Sequence, residues 1–88
     1  MKYTIYSKEN CMYCLGAKKL ANEELLNHNV INIGTDITVD EFKAKFPEQK
    51  TAPLIMAEDD AGNVTKVGGY HEFYNRITTM KTTVEVKL

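Results

Sequence analysis

The chain has 88 residues, and its 11 lysine and arginine residues against 12 aspartate and glutamate residues leave a net charge of −1. A chain of this length holds one domain at most, so we expect residues 1–88 to form a single domain. The near-neutral charge excludes a general electrostatic attraction to nucleic acid or to a membrane surface, and no apolar run approaches the ~20 residues that a membrane span needs. The amino terminus lacks the apolar core of a secretory signal, which predicts a cytoplasmic location.

The first half of the chain predicts a β-α-β unit followed by a short helix. Residues 2–6 are rich in Tyr, Thr and Ile and predict a strand. A helix begins at Cys11 or Met12, has an apolar face that extends to Leu25, and ends at residues 27–29, where His28 caps it or complements its dipole. Residues 30–33 predict a second strand. Thr38 and Glu41 form a capping box that begins the next helix.

The second half predicts a hairpin and a last helix. Residues 53–57 and 64–67 are short strands on either side of a turn-rich segment. Aromatic and aliphatic residues at helical spacing from Tyr70 to Ile77 predict an amphipathic helix. Residues 80–88 form a C-terminal extension, and the alternation over 84–88 predicts an extra edge strand or a frayed end. The order β-α-β-α-β-β-α predicts an α/β fold in which helices flank a four-stranded mixed sheet.

The two cysteines, Cys11 and Cys14, open the first predicted helix with two residues between them. The first turn of a helix carries backbone N–H groups without intrahelical partners and a partial positive charge. The N–H groups of Tyr13 and Cys14, with a further positive charge from Lys8, therefore favour the thiolate form of the Cys11 sulfur. Helix N-termini and C-x-x-C settings lower the pKa of cysteines in this way. Cys14, one turn further on, is expected to be less exposed. The asymmetry suits thiol–disulfide exchange through a mixed disulfide.

Two other interpretations of the cysteines stay open at this point. Cys11, Cys14 and His28 match the first three positions of a zinc-binding pattern, which only the distant His71 could complete. Alternatively, both thiols are unreactive parts of the core.

Three stretches of the chain resemble the glutaredoxins, within the thioredoxin-fold superfamily, and in particular their compact dithiol bacterial and phage-type members. These stretches are residues 6–14, Thr51-Ala52-Pro53, and Gly68-Gly69-Tyr70, and the resemblance covers residues 1 to about 79. It implies a thioredoxin-like fold, with Cys11 as the nucleophile and Cys14 as the resolving cysteine. It also implies a cis Pro53 and an Ala52 backbone that pairs with glutathione as with an added strand.

The resemblance further implies a set of glutathione contacts. The glycine pair would leave N–H groups of the last helix free for a carboxylate of the ligand. The expected glutathione-binding residues are Lys8, Tyr13, Gln49, Thr51, Ala52, Pro53, Gly69, Tyr70 and His71.

Two departures from the family pattern bear on function. Met12 replaces the proline of C-P-Y-C and restores an N–H in the first helical turn; some family members without this proline hold an iron–sulfur cluster between two protomers. His71 stands where the family often has an aspartate that would meet the ammonium of glutathione. A neutral imidazole lacks that charge, and a protonated one repels the ammonium. Glu72 is adjacent and could substitute for the aspartate if the helix start shifts.

The sequence thus predicts a cytoplasmic, glutathione-dependent thiol–disulfide oxidoreductase with a role in electron transport. As the resemblance implies, glutathione is the co-substrate and no metal is expected. The expected partners are disulfide-bearing or glutathionylated proteins, among which the resemblance suggests ribonucleotide reductase. Nucleic acid and membrane are not expected partners, and we expect a monomer. The alternatives are a redoxin reduced mainly by thioredoxin reductase, which His71 suggests, and an iron–sulfur or zinc-binding module that uses the same cysteines.

Overall fold

The fold consists of four strands and three helices in the predicted order. The computed structural model describes the backbone of residues 1–86 and the side chains of residues 1–79. Its elements are β1 (Lys2–Ser7), α1 (Met12–Glu23), β2 (His28–Asn32), α2 (Val39–Lys45), β3 (Leu54–Glu58), β4 (Val64–Gly68) and α3 (Tyr70–Val86).

The strands form one mixed sheet in the order β2-β1-β3-β4. β1 runs parallel to β2 and antiparallel to β3, and β3 and β4 form the antiparallel hairpin. The predicted four-stranded mixed sheet is therefore confirmed. Because β1 is a central strand, its last residue, Ser7, lies inside the protein, where it pairs with Asn32 of β2.

Side chains that alternate along β1 divide the core between the two faces of the sheet. Tyr3 and Ile5 pack on one face against α1 and α3, where Phe73 is completely buried. Tyr6 packs on the other face against Phe42 of α2. This division follows from the two-residue period of a strand, and it directs the side chain of Ser7 toward the α1 side.

The structure corrects the predicted end of the first helix. α1 ends at Glu23, and Leu25 adopts a φ of 53° with its side chain 91% exposed. The N–H of Leu26 donates to the carbonyl of Ala21 and that of Leu25 to Asn22, the bonding pattern of a Schellman motif. This turn brings Leu26, rather than Leu25, against the core.

His28 therefore does not cap α1. It begins β2, and its Nδ1 lies 2.8 Å from the carbonyl oxygen of Leu26.

The start of α2 is as predicted, whereas the C-terminal extension is not. Both bonds of the capping box form between Thr38 and Glu41, at 2.9 and 3.0 Å. α3 continues to Val86, so residues 84–86 are helical and not an edge strand; residues 87 and 88 lie outside the described residues. A helix that has already formed gains one hydrogen bond for each added residue, which a short alternating pattern does not outweigh. In residues 1–86, no helix is both long and apolar enough to cross a bilayer.

Candidate active site

Cys11 is the N-cap of α1. Its backbone is extended, with φ −126° and ψ 109°, and its sulfur accepts a hydrogen bond from the N–H of Cys14 at 3.2 Å. The sulfur thus takes the place that a Ser or Asp oxygen usually has at a helix start. The second expected donor, the N–H of Tyr13, is not among the bonds of this sulfur. The N–H of Cys14 has no partner within the helix and lies at the positive end of the helix dipole, and it points at the Cys11 sulfur.

The chain segment before β3 lies on the other side of this sulfur. The Cys11 thiol lies 3.6 Å from the carbonyl oxygen of Ala52, to which it donates. The Ala52–Pro53 peptide bond is cis, as the resemblance implies. Cys11 is only partly buried, so a disulfide can approach its sulfur beside the Ala52 backbone.

Cys14 lies beneath Cys11 and is completely buried. Burial raises the pKa of the Cys14 thiol above its ordinary value, and its hydrogen bond with Cys11 raises the pKa further. The backbone N–H of Lys8 and the nearby hydroxyl of Ser7 act in the opposite direction. Both cysteines are free thiols in this structure, and the predicted difference in exposure between them is confirmed.

A cavity of about 680 Å³ opens beside Ala52. Four of the predicted glutathione contacts line it: Lys8, Gln49, Thr51 and Ala52. The amide of Gln49 donates to the carbonyl of Thr51 at 2.8 Å, which holds the edge of the cavity in place.

The cavity has a basic rim and an apolar floor. Lys43 and Lys50 join Lys8 among its lining residues, whereas no lining residue is acidic, and Phe42 and Ile33 contribute the apolar surface. Such a cavity favours an anionic ligand with apolar groups.

Three more of the predicted contacts form an aromatic cluster at the start of α1. The ring of Tyr13 lies 6.0 Å from that of Tyr70 and 5.4 Å from that of His71, centroid to centroid. Tyr70 also packs over Gly16, where an added Cβ would come within 3.0 Å of the tyrosine ring. Tyr13 is 57% exposed and Met12 85% exposed, so the surface next to Cys11 is largely apolar and accessible.

The glycine pair differs from the expectation. The N–H of Gly69 is not free for a ligand, because it donates to the carboxylate of Glu72 at 2.7 Å. Gly68 has a φ of 125°, and a Cβ there would lie 2.8 Å from the same carboxylate. Pro53 is buried close by, its carbonyl 3.7 Å from the position of a Cβ on Gly69. Glutathione would therefore meet a negative charge at this end of α3.

The zinc pattern is not assembled. Among the residues whose side chains the structure describes, no group of three or more His, Cys, Asp or Glu is placed to hold a metal ion. His28 faces the carbonyl of Leu26, and His71 packs against Tyr13.

Sequence reasoning missed three residues near the site. Lys43 and Lys50 belong to the cavity because α2 and the loop before Thr51 fold over it, and only the tertiary structure brings them there. Ser7 falls outside the predicted strand over residues 2–6, yet it is completely buried at the end of β1 beside Cys14. The two-residue alternation Tyr3, Ile5, Ser7 was the signal that would have identified it.

Comparisons with known proteins give a matching family model and solved structures with the same fold. The glutaredoxin family model matches residues 3–61. A solution structure of reduced glutaredoxin from Escherichia coli is 24% identical, with a TM-score of 0.65, and the match covers 90% of this chain and 95% of that one. A solution structure of glutaredoxin from Brucella melitensis is 23% identical, with a TM-score of 0.68, and the match covers 96% of this chain and 86% of that one. A crystal structure of glutaredoxin 1 from Francisella tularensis, complexed with cacodylate, is 19% identical, with a TM-score of 0.63, and the match covers 91% of this chain and 96% of that one. No curated protein sequence matches the chain.

Proposed function

The chain belongs to the glutaredoxin family of thiol–disulfide oxidoreductases, and from this we propose that it reduces protein disulfides and glutathione mixed disulfides with glutathione as the electron donor. The family uses glutathione as its reductant, and the dependence of this enzyme on glutathione is part of the proposal. The observation that carries it is the Cys11 sulfur, which accepts the Cys14 N–H at 3.2 Å at the start of α1. We further propose that the enzyme acts as a monomer in the cytoplasm and that residues 1–88 form one domain.

Cys11 carries out the first step. Its thiolate attacks one sulfur of the substrate disulfide, so that a new S–S bond forms on Cys11 and the substrate S–S bond breaks. The departing thiolate takes a proton from solvent. The amide at the helix start stabilises the negative charge on the attacking sulfur, and the partial exposure of Cys11 admits the substrate.

The second step depends on the substrate. On a protein disulfide, the Cys14 thiolate attacks Cys11, forms the Cys11–Cys14 disulfide and releases the second substrate thiol. On a glutathionylated substrate, the Cys11 thiolate attacks the glutathione sulfur, forms a mixed disulfide with glutathione and releases the substrate thiol. A second glutathione then attacks the glutathione sulfur of this mixed disulfide, which gives oxidised glutathione and free Cys11. Two glutathione molecules reduce the enzyme disulfide in the same way.

We assign glutathione to the surface around Cys11. Its cysteine would pair with the Ala52 backbone, next to the cis Pro53 and Thr51. Its glycine carboxylate would lie near Lys8 and Gln49, since the cavity that these residues line has a basic rim. The opposite end of the ligand would then lie beside the cluster of Tyr13, Tyr70 and His71 and the start of α3 at Gly69.

Two observations favour a second candidate, a redoxin reduced mainly by thioredoxin reductase. The Gly69 N–H is already bonded to Glu72, and His71 provides no carboxylate for the glutathione ammonium. Both features lower the expected affinity for glutathione, whereas neither affects the reaction of Cys11 and Cys14. Disulfide-bearing proteins such as ribonucleotide reductase are proposed substrates under both candidates.

A coupled assay separates the candidates. The enzyme is mixed with glutathione, glutathione reductase, NADPH and a glutathione mixed disulfide, and we expect NADPH oxidation that the Cys11→Ser variant does not support. Activity with thioredoxin reductase alone would instead identify the second candidate. A brown protein with visible absorption would indicate an iron–sulfur cluster and contradict both.

A further inference from the structure

The hydroxyl of Ser7 is a buried polar group that the proposed mechanism does not yet use. Ser7 is completely buried, and its Oγ has no hydrogen-bond partner that satisfies normal geometry in the dithiol structure. A buried hydroxyl without a partner destabilises the fold, because it has lost its hydrogen bonds to water and gained none. A partner that forms only in another state of the protein would explain why this hydroxyl is buried without one here.

The position of Ser7 identifies that partner. Ser7 ends β1 on the face that packs against α1, and the buried face of α1 begins with Cys14. The backbone of Ser7 is held in place, because its carbonyl accepts the N–H of Ile33 at 2.7 Å. Ser7 is also close enough for its hydroxyl to act on the Cys14 sulfur, together with the backbone N–H of Lys8.

We propose that Ser7 is a positioning residue of the resolving step: its buried hydroxyl donates a hydrogen bond to the Cys14 thiolate as that sulfur attacks the mixed disulfide on Cys11. The inference rests on the proposed function, since it concerns the second step of that reaction. A thiol is a weak acceptor, whereas a thiolate is a strong one. The hydroxyl therefore gains its full bond only when Cys14 loses its proton.

The step balances without any additional reactant. Cys14 releases its proton to solvent, its sulfur forms a bond to the Cys11 sulfur, and the bond from Cys11 to the substrate sulfur breaks. The substrate thiolate leaves and takes up a proton. Ser7 keeps its own proton throughout, because it only donates a hydrogen bond.

Few other groups act on this thiolate. In the dithiol protein, Cys11 acts on the Cys14 sulfur through a hydrogen bond and by charge, and Lys8 acts through its backbone N–H. Neither effect of the Cys11 thiol persists once Cys11 is in the mixed disulfide. From α3, Tyr70 packs on Gly16 and His71 packs on Tyr13.

The test measures the resolving step with a chromophoric disulfide and without glutathione. One equivalent of dithiobis(nitrobenzoate) releases a first coloured thiolate when Cys11 attacks and a second when Cys14 resolves. Rapid mixing from pH 6 to pH 11 gives the rate of each release and the pH midpoint of the second.

Ser7→Thr and Ser7→Val form a matched pair, because the two side chains have the same shape and only Thr keeps the hydroxyl. We expect Thr to retain the wild-type midpoint of the second release and Val to raise it by about one unit, with Ser7→Ala behaving like Val. A thiolate of higher pKa is scarcer but more nucleophilic, so Val should slow the second release only about threefold at neutral pH. Above the midpoint, Val should be no slower than wild type, and the first release should not change.

The outcomes distinguish the inference from the proposed function. Equal midpoints for Thr and Val, or a slowing by Val at every pH, would overturn the role of Ser7. Absence of a second release from the wild-type protein would instead contradict the dithiol mechanism itself. Ser7→Ala adds no atoms to the buried site, so the raised midpoint of this variant decides the question even if the larger Thr and Val variants do not fold.

Discussion

The carboxylate of Glu72 accepts a hydrogen bond from the N–H of Gly69 at 2.7 Å. This places a negative charge of the protein where the glycine pair was expected to receive a carboxylate of glutathione. Glu72 thereby caps α3 from its first turn, which favours the helix. The same Glu72 carboxylate would repel a carboxylate of glutathione bound there.

Glu72→Gln tests this charge. The amide oxygen of Gln can keep the bond to Gly69, while the negative charge is removed. Since two unit charges about 4 Å apart interact by about 1 kcal/mol in water, we expect the KM for glutathione to fall by up to about fivefold. Steady-state kinetics of the coupled assay measure this, with Glu9→Gln on the exposed loop before Cys11 as the charge control. A higher KM in Glu72→Gln would mean that this carboxylate binds the ammonium of glutathione instead.

The two cysteines should be separable by substitution. Cys11→Ser should abolish turnover of every substrate, because no other exposed thiol starts the reaction. Cys14→Ser should keep the removal of glutathione from substrates and lose most reduction of protein disulfides, since only the latter needs the second thiol. Parallel assays with a glutathione mixed disulfide and a protein disulfide give the comparison. Equal losses in both for Cys14→Ser would contradict this division of roles.

The raised pKa of Cys14 predicts how its alkylation depends on pH. Burial disfavours the thiolate, so a smaller fraction of Cys14 than of an ordinary exposed cysteine is ionised at neutral pH, and its reactivity rises with pH. In the Cys11→Ser variant, iodoacetamide should therefore label Cys14 slowly at pH 7 and faster as the pH rises past 9. In the Cys14→Ser variant, the partly exposed Cys11 should be labelled at pH 7. Mass spectrometry of timed samples measures both, and rapid labelling of Cys14 at pH 7 would contradict the prediction.

His71→Asp should strengthen the binding of glutathione. An aspartate would attract the ammonium of the ligand, which a histidine does not. We expect the KM to fall severalfold, while Asn in the same place, which lacks the charge, leaves it nearly unchanged. Because His71 also contacts Tyr13, the Asn variant controls for the lost ring contact. If Asp and Asn gave the same KM, charge at this position would be irrelevant to binding.

The capping box of α2 predicts a pH-dependent part of the stability. Backbone and hydroxyl bonds from Thr38 lower the pKa of Glu41. The stabilisation is therefore complete above the ordinary carboxyl pKa and is lost as the pH falls through the lowered value.

Glu41→Gln keeps a side-chain oxygen for the Thr38 N–H but removes the charge. It should therefore destabilise the protein at pH 7 and much less at pH 3, whereas Thr38→Ser should stay near wild type at both. Urea unfolding at the two pH values measures the difference. A loss of equal size at pH 7 and pH 3 would show that the carboxylate takes no part.

Local patterns in the sequence determined most of the fold. The helical spacing before Ala21, the capping box at Thr38 and the alternation along β1 each depend on neighbouring residues, so the elements and their order could be predicted. The position of Cys11 at a helix start followed from the same local patterns, and the cysteine spacing pointed to the chemistry.

Only the tertiary structure decided how separate segments meet. It turned Leu25 outward and Leu26 inward, bonded Glu72 to Gly69, and set the buried Ser7 beside Cys14. The physical reason is that burial and donor–acceptor geometry depend on side chains from different elements packing together. A sequence pattern records the period of each element, whereas it does not record which atoms of two elements come into contact.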